Sequence, residues 1–205
     1  MVNKKLTKKE RTTINYYDQH SNEWAERHKG GREFDEERDI LIKLVPSGKL
    51  LEIGTGPGRD AKVFIKHFGI NNYTGIEPAK GLIKIALKRN PKVKIQNENV
   101  YEMDVPDKYF DAFWSSAVLI HIPKNKINRV LKKIKRAMKK GSYGYISVME
   151  GNVDMEEGRT DRFFSLWGQE EFEKELSVAG FKIYKKRRIV RSKGSPWLAY
   201  LVKIT

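Results

Sequence analysis

The chain has 205 residues, of which 39% are hydrophobic, and this length and composition fit one globular domain with one sizeable core. It contains no cysteine, which excludes disulfides and cysteine-ligated zinc, and its four histidines lack the close spacing of a metal site. The net charge of +15 allows a polyanionic partner such as RNA, although an AT-rich genome produces the same lysine bias.

The N-terminal quarter of the chain precedes the main pattern of strands. No apolar stretch follows the basic N-terminus and no segment has the length of a membrane span, so we expect a cytoplasmic protein with one domain over residues 1–205. Residues 1–12 are basic and poor in apolar side chains, which predicts a flexible end. Helical patterns at 13–29 and 34–45 predict a lid or cap over the rest of the domain.

A glycine-rich segment joins the first strand pattern to a helix. The apolar run at residues 50–53 is followed by Gly54, Gly56 and Gly58, and a helical pattern begins at Arg59. Glycine permits positive φ angles and close approach of a ligand to the backbone. The N-terminus of a helix offers unpaired N–H groups to a carboxylate or phosphate. The segment therefore predicts a ligand-binding loop.

An acidic residue follows the next strand pattern at a distance that suits a nucleoside. Residues 72–77 form this pattern and end in Glu77, about 20 residues beyond the glycine loop. A carboxylate at this place accepts hydrogen bonds from both hydroxyls of a ribose. It indicates a cofactor that contains adenosine, without deciding between NAD and other such cofactors.

Residues 52–58 read E-x-G-x-G-x-G, which resembles motif I of the class I S-adenosylmethionine (SAM)-dependent methyltransferases. Residues 106–111 (P-D-x-x-F-D) and 115–121 (S-x-x-V-L-x-H) resemble later segments of the same family. The resemblance extends from about residue 13 to residue 204. It implies an enzyme that uses SAM, moves the methyl group by SN2 displacement and releases S-adenosylhomocysteine.

The family resemblance also implies a fold. We expect an α/β, doubly wound, Rossmann-like domain with a seven-stranded, mostly parallel sheet, one antiparallel strand near the C-terminus and helices on both faces. The final strand patterns, 181–190 and 197–204, fit a hairpin that supplies the antiparallel strand. The helical pattern at 124–140 has an apolar face, and Gly141 is expected to cap it.

Candidate site residues follow from the resemblance position by position. The cofactor candidates are Glu52, Gly54, Thr55, Gly56, Gly58, Glu77, Pro78, Asn99, Val100, Ser115 and Tyr16. Asn99 departs from the family pattern, which has an acidic residue at the adenine; its amide oxygen can still accept from the adenine amino group, but the departure weakens this assignment. His121 is the candidate catalytic residue, as a base or as a group that orients the acceptor. The acceptor candidates are Tyr17, Trp24, Arg162, Phe163 and Trp167.

The motifs identify the methyl donor but leave the acceptor open. We expect a small-molecule acceptor, no metal and no membrane partner, with the oligomeric state undecided. The first alternative is an RNA methyltransferase that uses the basic segments 124–140, 185–188 and 4–11. The second is an NAD(P)-binding oxidoreductase. The dinucleotide fingerprint G-x-G-x-x-G is incomplete in this sequence, because Arg59 and Asp60 follow Gly58 and do not supply its third glycine. The third is a non-catalytic SAM-binding module.

Overall fold

The computed structural model describes residues 6–30, 32–192 and 194–205. Its helices are α1 Lys8–Gln19, α2 Ser21–Arg27, α3 Asp35–Leu44, α4 Arg59–Phe68, α5 Lys80–Arg89, α6 Lys124–Ala137 and α7 Gln169–Ala179. Its strands are β1 Leu50–Ile53, β2 Tyr73–Ile76, β3 Ile95–Gln96, β4 Phe110–Ser115, β5 Met138–Glu150, β6 Met155–Glu157, β7 Arg162–Phe164, β8 Leu166–Trp167, β9 Phe181–Ile189 and β10 Trp197–Ile204. Short 3-10 turns lie at Ile70–Asn72 and Leu119–His121.

The central sheet has the order β3-β2-β1-β4-β5-β10-β9, and β8 pairs with β5 outside this path. Strand β10 is antiparallel to both of its neighbours, whereas the other pairs are parallel. The order reverses between β1 and β4, which creates the crevice where α/β proteins bind ligands. The predicted fold is confirmed except for the number of strands. There are eight and not seven, because Leu166 and Trp167 pair with the carboxyl end of β5.

A continuous apolar core lies between the sheet and its helices. The indole of Trp114 on β4 stacks on Tyr145 of β5, with ring centroids 4.0 Å apart, and Phe64 of α4 packs edge-on against the same indole. Helix α6 buries the apolar face predicted for it, formed by Ile127, Val130, Leu131, Ile134 and Ala137. Side chains at this helical spacing meet the sheet together and leave the basic residues outside.

The N-terminal helix begins earlier than the sequence pattern predicted. Helix α1 starts at Lys8, because Thr7 and Glu10 form a capping box that satisfies the first N–H groups. The expectation of a flexible end is therefore wrong for residues 8–12, and its residues 1–5 lie outside the described part of the chain. The predicted helix 13–29 is divided at His20, which separates α1 from α2.

One further boundary differs from the prediction. Helix α6 ends at Ala137 and passes directly into β5, so Gly141 does not cap the helix. Gly141 instead has a φ of 81° inside β5, where the register against β4 shifts and several residues bulge out. After β5, strand β6 forms a small antiparallel sheet with β7. Within the described residues, none of the helices is both long and apolar enough to span a bilayer.

Candidate functional site

A cavity of about 700 Å³ opens at the carboxyl ends of β1, β2 and β4. Helices α1 and α2 and the β6–β7 hairpin contribute to its wall. It is lined by twelve of the predicted site residues, namely Glu52, Gly54, Thr55, Gly56, Glu77, Pro78, Asn99, Val100, His121, Tyr17, Trp24 and Arg162. The structure thus brings the predicted cofactor residues and most of the predicted acceptor residues to one space.

The glycine loop forms the floor of this cavity. Gly54 has a φ of 75°, and a Cβ there would lie 2.2 Å from a methyl carbon of Val118, so the segment after β4 packs directly on the loop. Gly56 has a φ of 56°, and a Cβ there would meet no described atom closer than 4.0 Å. The backbone at Gly56 therefore faces open space in which a ligand can lie against it.

Glu52 lies beneath the loop and is 2% exposed. Its carboxylate accepts a hydrogen bond from the Tyr73 hydroxyl. Burial, together with the nearby charge of Asp60, raises the pKa of Glu52 well above its ordinary value. A cationic group bound in the cavity would favour the ionised form, so this position suits the ammonium of an amino acid.

Glu77 connects the end of β2 to the glycine loop. Its Oε2 accepts from the Gly56 N–H at 2.9 Å, and its Oε1 accepts from the Ala79 N–H at 2.9 Å. Burial raises the pKa of Glu77 to about 7, even though both backbone bonds favour the carboxylate. These bonds hold both oxygens at the edge of the cavity, where they are oriented to accept hydroxyl donors.

Asn99 and Val100 form another part of the wall. The Asn99 Oδ1 accepts from the Tyr101 N–H at 2.9 Å, and its Nδ2 donates to Glu102 at 2.8 Å. The oxygen that the sequence assigned to an adenine amino group already has one backbone partner, and any bond to adenine would use its second lone pair. Val100 is buried and provides an apolar surface.

His121 lies on the 3-10 turn after β4. Its Nδ1 lies 2.6 Å from the carbonyl oxygen of Phe163, and its Nε2 lies 2.9 Å from the Tyr17 hydroxyl. A carbonyl only accepts, so Nδ1 carries the proton and Nε2 accepts from Tyr17. Burial, with a contribution from the charge of Arg162, lowers the pKa of His121 to about 4, so the imidazole is neutral at pH 7.

Arg162 is 7% exposed and lies among aromatic rings from three elements. Its guanidinium carbon is 4.9 Å from the ring centre of Tyr16, 5.1 Å from that of Trp24 and 5.2 Å from that of Phe164. Its Nη2 donates to Glu157 at 2.5 Å, and its Nη1 donates to the Tyr17 hydroxyl at 3.1 Å. Arg162 therefore links β7 to α1 and α2 beside His121.

Five predicted site residues lie away from the cavity wall. Tyr16 points to His20 and Arg162, so Tyr17 is the ring of this pair that faces the cavity. Gly58 packs under α5, Ser115 is fully buried in β4, and Trp167 packs on Phe172. Phe163 presents its backbone carbonyl to His121. The direction in which each of these side chains points depends on its place on a strand or helix face, and short sequence motifs do not specify that direction.

Sequence reasoning also missed residues of the wall, including Phe164, Glu157, Val118 and Trp197. Of these, Phe164 could have been found from the alternation of side chains along β7. Arg162 and Phe164 share one face of that strand, and Phe163 lies on the other. Across the described ranges, no group of three or more His, Asp or Glu side chains is arranged to hold a metal ion.

Comparisons with known proteins indicate a methyltransferase domain. A family model described as a methyltransferase domain matches residues 51–146. An uncharacterized protein of Methanocaldococcus jannaschii is 28% identical over 165 residues, which cover 77% of this chain and 76% of the relative. Trans-aconitate 2-methyltransferase of Sinorhizobium medicae is 26% identical over 90 residues, 43% of this chain and 35% of the enzyme.

A solved structure shares the whole fold. The 1,6-didemethyltoxoflavin-N1-methyltransferase of Burkholderia thailandensis, determined with bound S-adenosylhomocysteine, aligns with a TM-score of 0.79 and 18% identity over 98% of this chain and 92% of that chain. Its likeness concerns the fold, while the family model covers the glycine loop, Glu77 and the segment that carries His121. Residues 51–146 thus match the methyltransferase-domain family, and the chain has the fold of the class I SAM-dependent methyltransferases.

Proposed function

We propose that this methyltransferase transfers the methyl group of SAM to a small-molecule acceptor that binds beside the cofactor in the same cavity. The observation that carries the proposal is the size and make-up of the cavity. Its volume of about 700 Å³ lies in the range of small-molecule sites, and its wall has two chemically different ends. One end holds Glu52, Glu77 and the glycine loop, and the other is aromatic.

The residues at the first end fit SAM. Glu52 faces the place where an ammonium would lie along the loop, and Glu77 offers two oriented oxygens to ribose hydroxyls. Val100 supplies an apolar surface for a base, and the open backbone at Gly56 allows close approach. When bound, SAM supplies an electrophilic methyl carbon on a sulfonium, so no side-chain nucleophile is required.

The second end of the cavity supports a small acceptor. Tyr17 and Trp24 come from α1 and α2, Phe164 comes from the β6–β7 hairpin, and Trp197 comes from the start of β10. Aromatic walls of this kind bury and orient a compact, partly apolar molecule. The role of the protein is then to align the acceptor and to exclude water. Helices α1 and α2 would act as the lid.

Salt bridges within the molecule weigh against RNA as the acceptor. Lys124, Lys126, Arg136 and Lys139 of the basic segment each pair with a carboxylate, from Glu171, Glu10, Asp107 and Asp111 respectively. Every cation of the cluster 185–188 also has a carboxylate partner, from Glu36, Glu173, Glu37 or Glu150. Much of the basic charge that suggested a nucleic-acid surface is therefore engaged within the protein.

The relatives do not agree on one acceptor. The names of the two characterised proteins refer to trans-aconitate and to the N1 position of a toxoflavin precursor. Both are small molecules, which supports the proposed class of acceptor. The two acceptors differ in chemistry, so the relatives do not identify the acceptor atom of this chain, which depends on the side chains of its own cavity.

The proposal is tested by incubating the protein with SAM carrying a radiolabelled methyl group and a cell extract separated into small-molecule, RNA and protein fractions. We expect label in the small-molecule fraction. A Glu77→Ala variant should transfer much less label at SAM concentrations near the wild-type KM, while Glu170→Gln, an exposed change on α7, should keep the wild-type level. Label found only in the RNA or protein fraction would contradict the proposal.

A further inference from the structure

The acceptor end of the cavity contains a hydrogen-bonded series of groups that methyl transfer alone does not require. It runs from Arg162 to the Tyr17 hydroxyl at 3.1 Å, on to His121 Nε2 at 2.9 Å, and from His121 Nδ1 to the Phe163 carbonyl at 2.6 Å. The four groups come from α1, the turn after β4, and β7. We call these groups the relay.

The direction of the protons in the relay is fixed by its two ends. The guanidinium only donates and the carbonyl only accepts, so the Tyr17 oxygen accepts from Arg162 and the Tyr17 proton points to His121. His121 Nε2 is then a neutral, unprotonated nitrogen that receives a proton through Tyr17. The series is arranged to accept one proton from the cavity.

The relay lies where the reacting atoms are expected. Val118 packs against Gly54 of the cofactor loop, and His121 follows Val118 on the next turn. Tyr17 and His121 both line the cavity that contains the glycine loop. The relay therefore lies where the cofactor end and the acceptor end of the cavity meet.

We propose that the methyl acceptor carries its nucleophilic atom as an N–H or O–H group, and that its proton passes to the Tyr17 oxygen while the Tyr17 proton passes to His121 Nε2. This inference rests on the proposed function. In the balanced step, the acceptor atom forms a bond to the methyl carbon, the carbon–sulfur bond breaks and its electron pair stays on sulfur. The acceptor's proton ends on the imidazole, and Tyr17 is neutral before and after.

The step conserves the net charge of the cavity. The reaction removes the positive charge of the sulfonium from the cavity and creates one on the imidazole, so the net charge of the cavity is unchanged. The nearby charged groups are Arg162, which disfavours the imidazolium and favours ionised Tyr17, and Glu157 and Glu77, which act on Tyr17 in the opposite sense. The Phe163 carbonyl stabilises the imidazolium through Nδ1.

Arg162 is a positioning residue in this arrangement. Four aromatic rings and Glu157 hold its guanidinium in place. Its hydrogen bond to the Tyr17 oxygen therefore turns the Tyr17 proton toward His121. A lysine has neither the planar stacking surface nor the several donors needed for these contacts. Arg162→Lys should therefore lower kcat and leave the KM for SAM nearly unchanged.

The proton arrangement is tested first by nitrogen-15 NMR of histidine-labelled protein saturated with S-adenosylhomocysteine. We expect His121 to be neutral at pH 7 with the proton on Nδ1, and its Nε2 resonance to shift in Tyr17→Phe. The control variant His67→Asn alters an exposed histidine on α4 outside the cavity and should leave the His121 signals unchanged. A His121 that is protonated at pH 7, or protonated on Nε2, would overturn the relay.

The second test follows labelled methyl transfer into the small-molecule fraction. Tyr17→Phe and His121→Asn should each lower kcat by roughly 10²-fold or more, with S-adenosylhomocysteine affinity within about threefold of wild type because neither side chain is needed to hold the cofactor. The labelled product should survive alkali, as N-methyl and aryl O-methyl groups do. Unimpaired variants, or label released by alkali as methanol from a methyl ester, would overturn the inference. A wild-type protein that labels no small molecule would instead contradict the proposed function.

Discussion

The backbone N–H of Gly56 donates to the Glu77 carboxylate at 2.9 Å, and this bond joins the glycine loop to the end of the neighbouring strand. A single carboxylate thus organises the loop and remains at the edge of the cavity. Replacing Glu77 by alanine removes two backbone hydrogen bonds as well as the acceptors offered to a ligand.

Glu77→Ala should therefore weaken the binding of both SAM and S-adenosylhomocysteine. Hydrogen bonds to a charged group contribute about 1.5–3 kcal/mol, so we expect a loss of roughly 10- to 100-fold in affinity by isothermal titration calorimetry. Glu170→Gln on the surface of α7 is the matched control. Equal affinities in the two variants would show that Glu77 does not contact the cofactor.

The affinity of the protein for S-adenosylhomocysteine should also depend on pH. Because burial raises the pKa of Glu77 to about 7, the ligand-free protein holds a proton that the unfolded chain has already released above pH 4.5. The contribution of Glu77 to the free energy of unfolding thus falls as the pH rises from about 4.5 to about 7. Hydroxyl donors prefer the carboxylate, so S-adenosylhomocysteine should bind about tenfold more tightly at pH 8 than at pH 6. Calorimetry at both values should show this difference, and Glu77→Gln should lose it.

Gly54→Ala should abolish cofactor binding without preventing folding. The residue has a φ of 75°, and its new Cβ would lie 2.2 Å from a methyl carbon of Val118, so the loop would have to move. Gly158→Ala is the matched control, because a Cβ at Gly158 meets no described atom within 4 Å. Circular dichroism should give native spectra for both variants, and only the first should fail to bind S-adenosylhomocysteine. Normal binding by Gly54→Ala would show that this packing does not shape the site.

Arg187 should contribute to stability and not to nucleic-acid binding. Its Nε and Nη2 donate at 2.5 and 2.7 Å to Glu37, a carboxylate of α3 that is 2% exposed. Arg187→Met leaves that carboxylate unpaired and should cost about 2 kcal/mol, less than for a fully buried pair because the guanidinium is partly exposed. Thermal unfolding should show a fall of roughly 4–8 °C in Tm. Lys186→Met, which removes a more exposed pair with Glu173, should change Tm by less than about 2 °C. Equal effects would contradict this assignment.

The exposed residues of α6 provide a test of the RNA alternative. Arg129 and Lys132 point to solvent away from the cavity. Changing both to glutamate should leave labelled methyl transfer to the small-molecule fraction unchanged, because neither side chain contacts the site. Transfer to tRNA that disappears in this variant, and that falls steeply with salt, would favour an RNA acceptor instead.

The sequence was sufficient to predict that Glu52, the glycine loop and Glu77 lie together, and they line one cavity. Glu52, the glycine loop and Glu77 are each set by the end of a strand, and parallel strands place such ends side by side. The acceptor end was only partly predictable. The arginine–aromatic cluster joins Arg162 to Tyr16, Tyr17 and Trp24, which are well over a hundred residues away in the chain, and this contact depends on how the N-terminal helices pack.

The errors in the predicted fold have similar causes. The pairing of Leu166 and Trp167 with β5 involves only two residues, which is too short for a periodic pattern. Gly141 resembled a helix cap, yet α6 runs directly into β5 and the glycine serves a bulge. In both places tertiary pairing determines the local structure, and sequence propensity gives no sign of it.

The binding of S-adenosylhomocysteine to the wild-type protein tests the central claim most directly. Isothermal titration calorimetry at pH 8 should show one site per chain with a dissociation constant in the micromolar range, and NAD under the same conditions should give no binding heat. Absence of any heat with S-adenosylhomocysteine, or saturable binding of NAD in its place, would contradict the account.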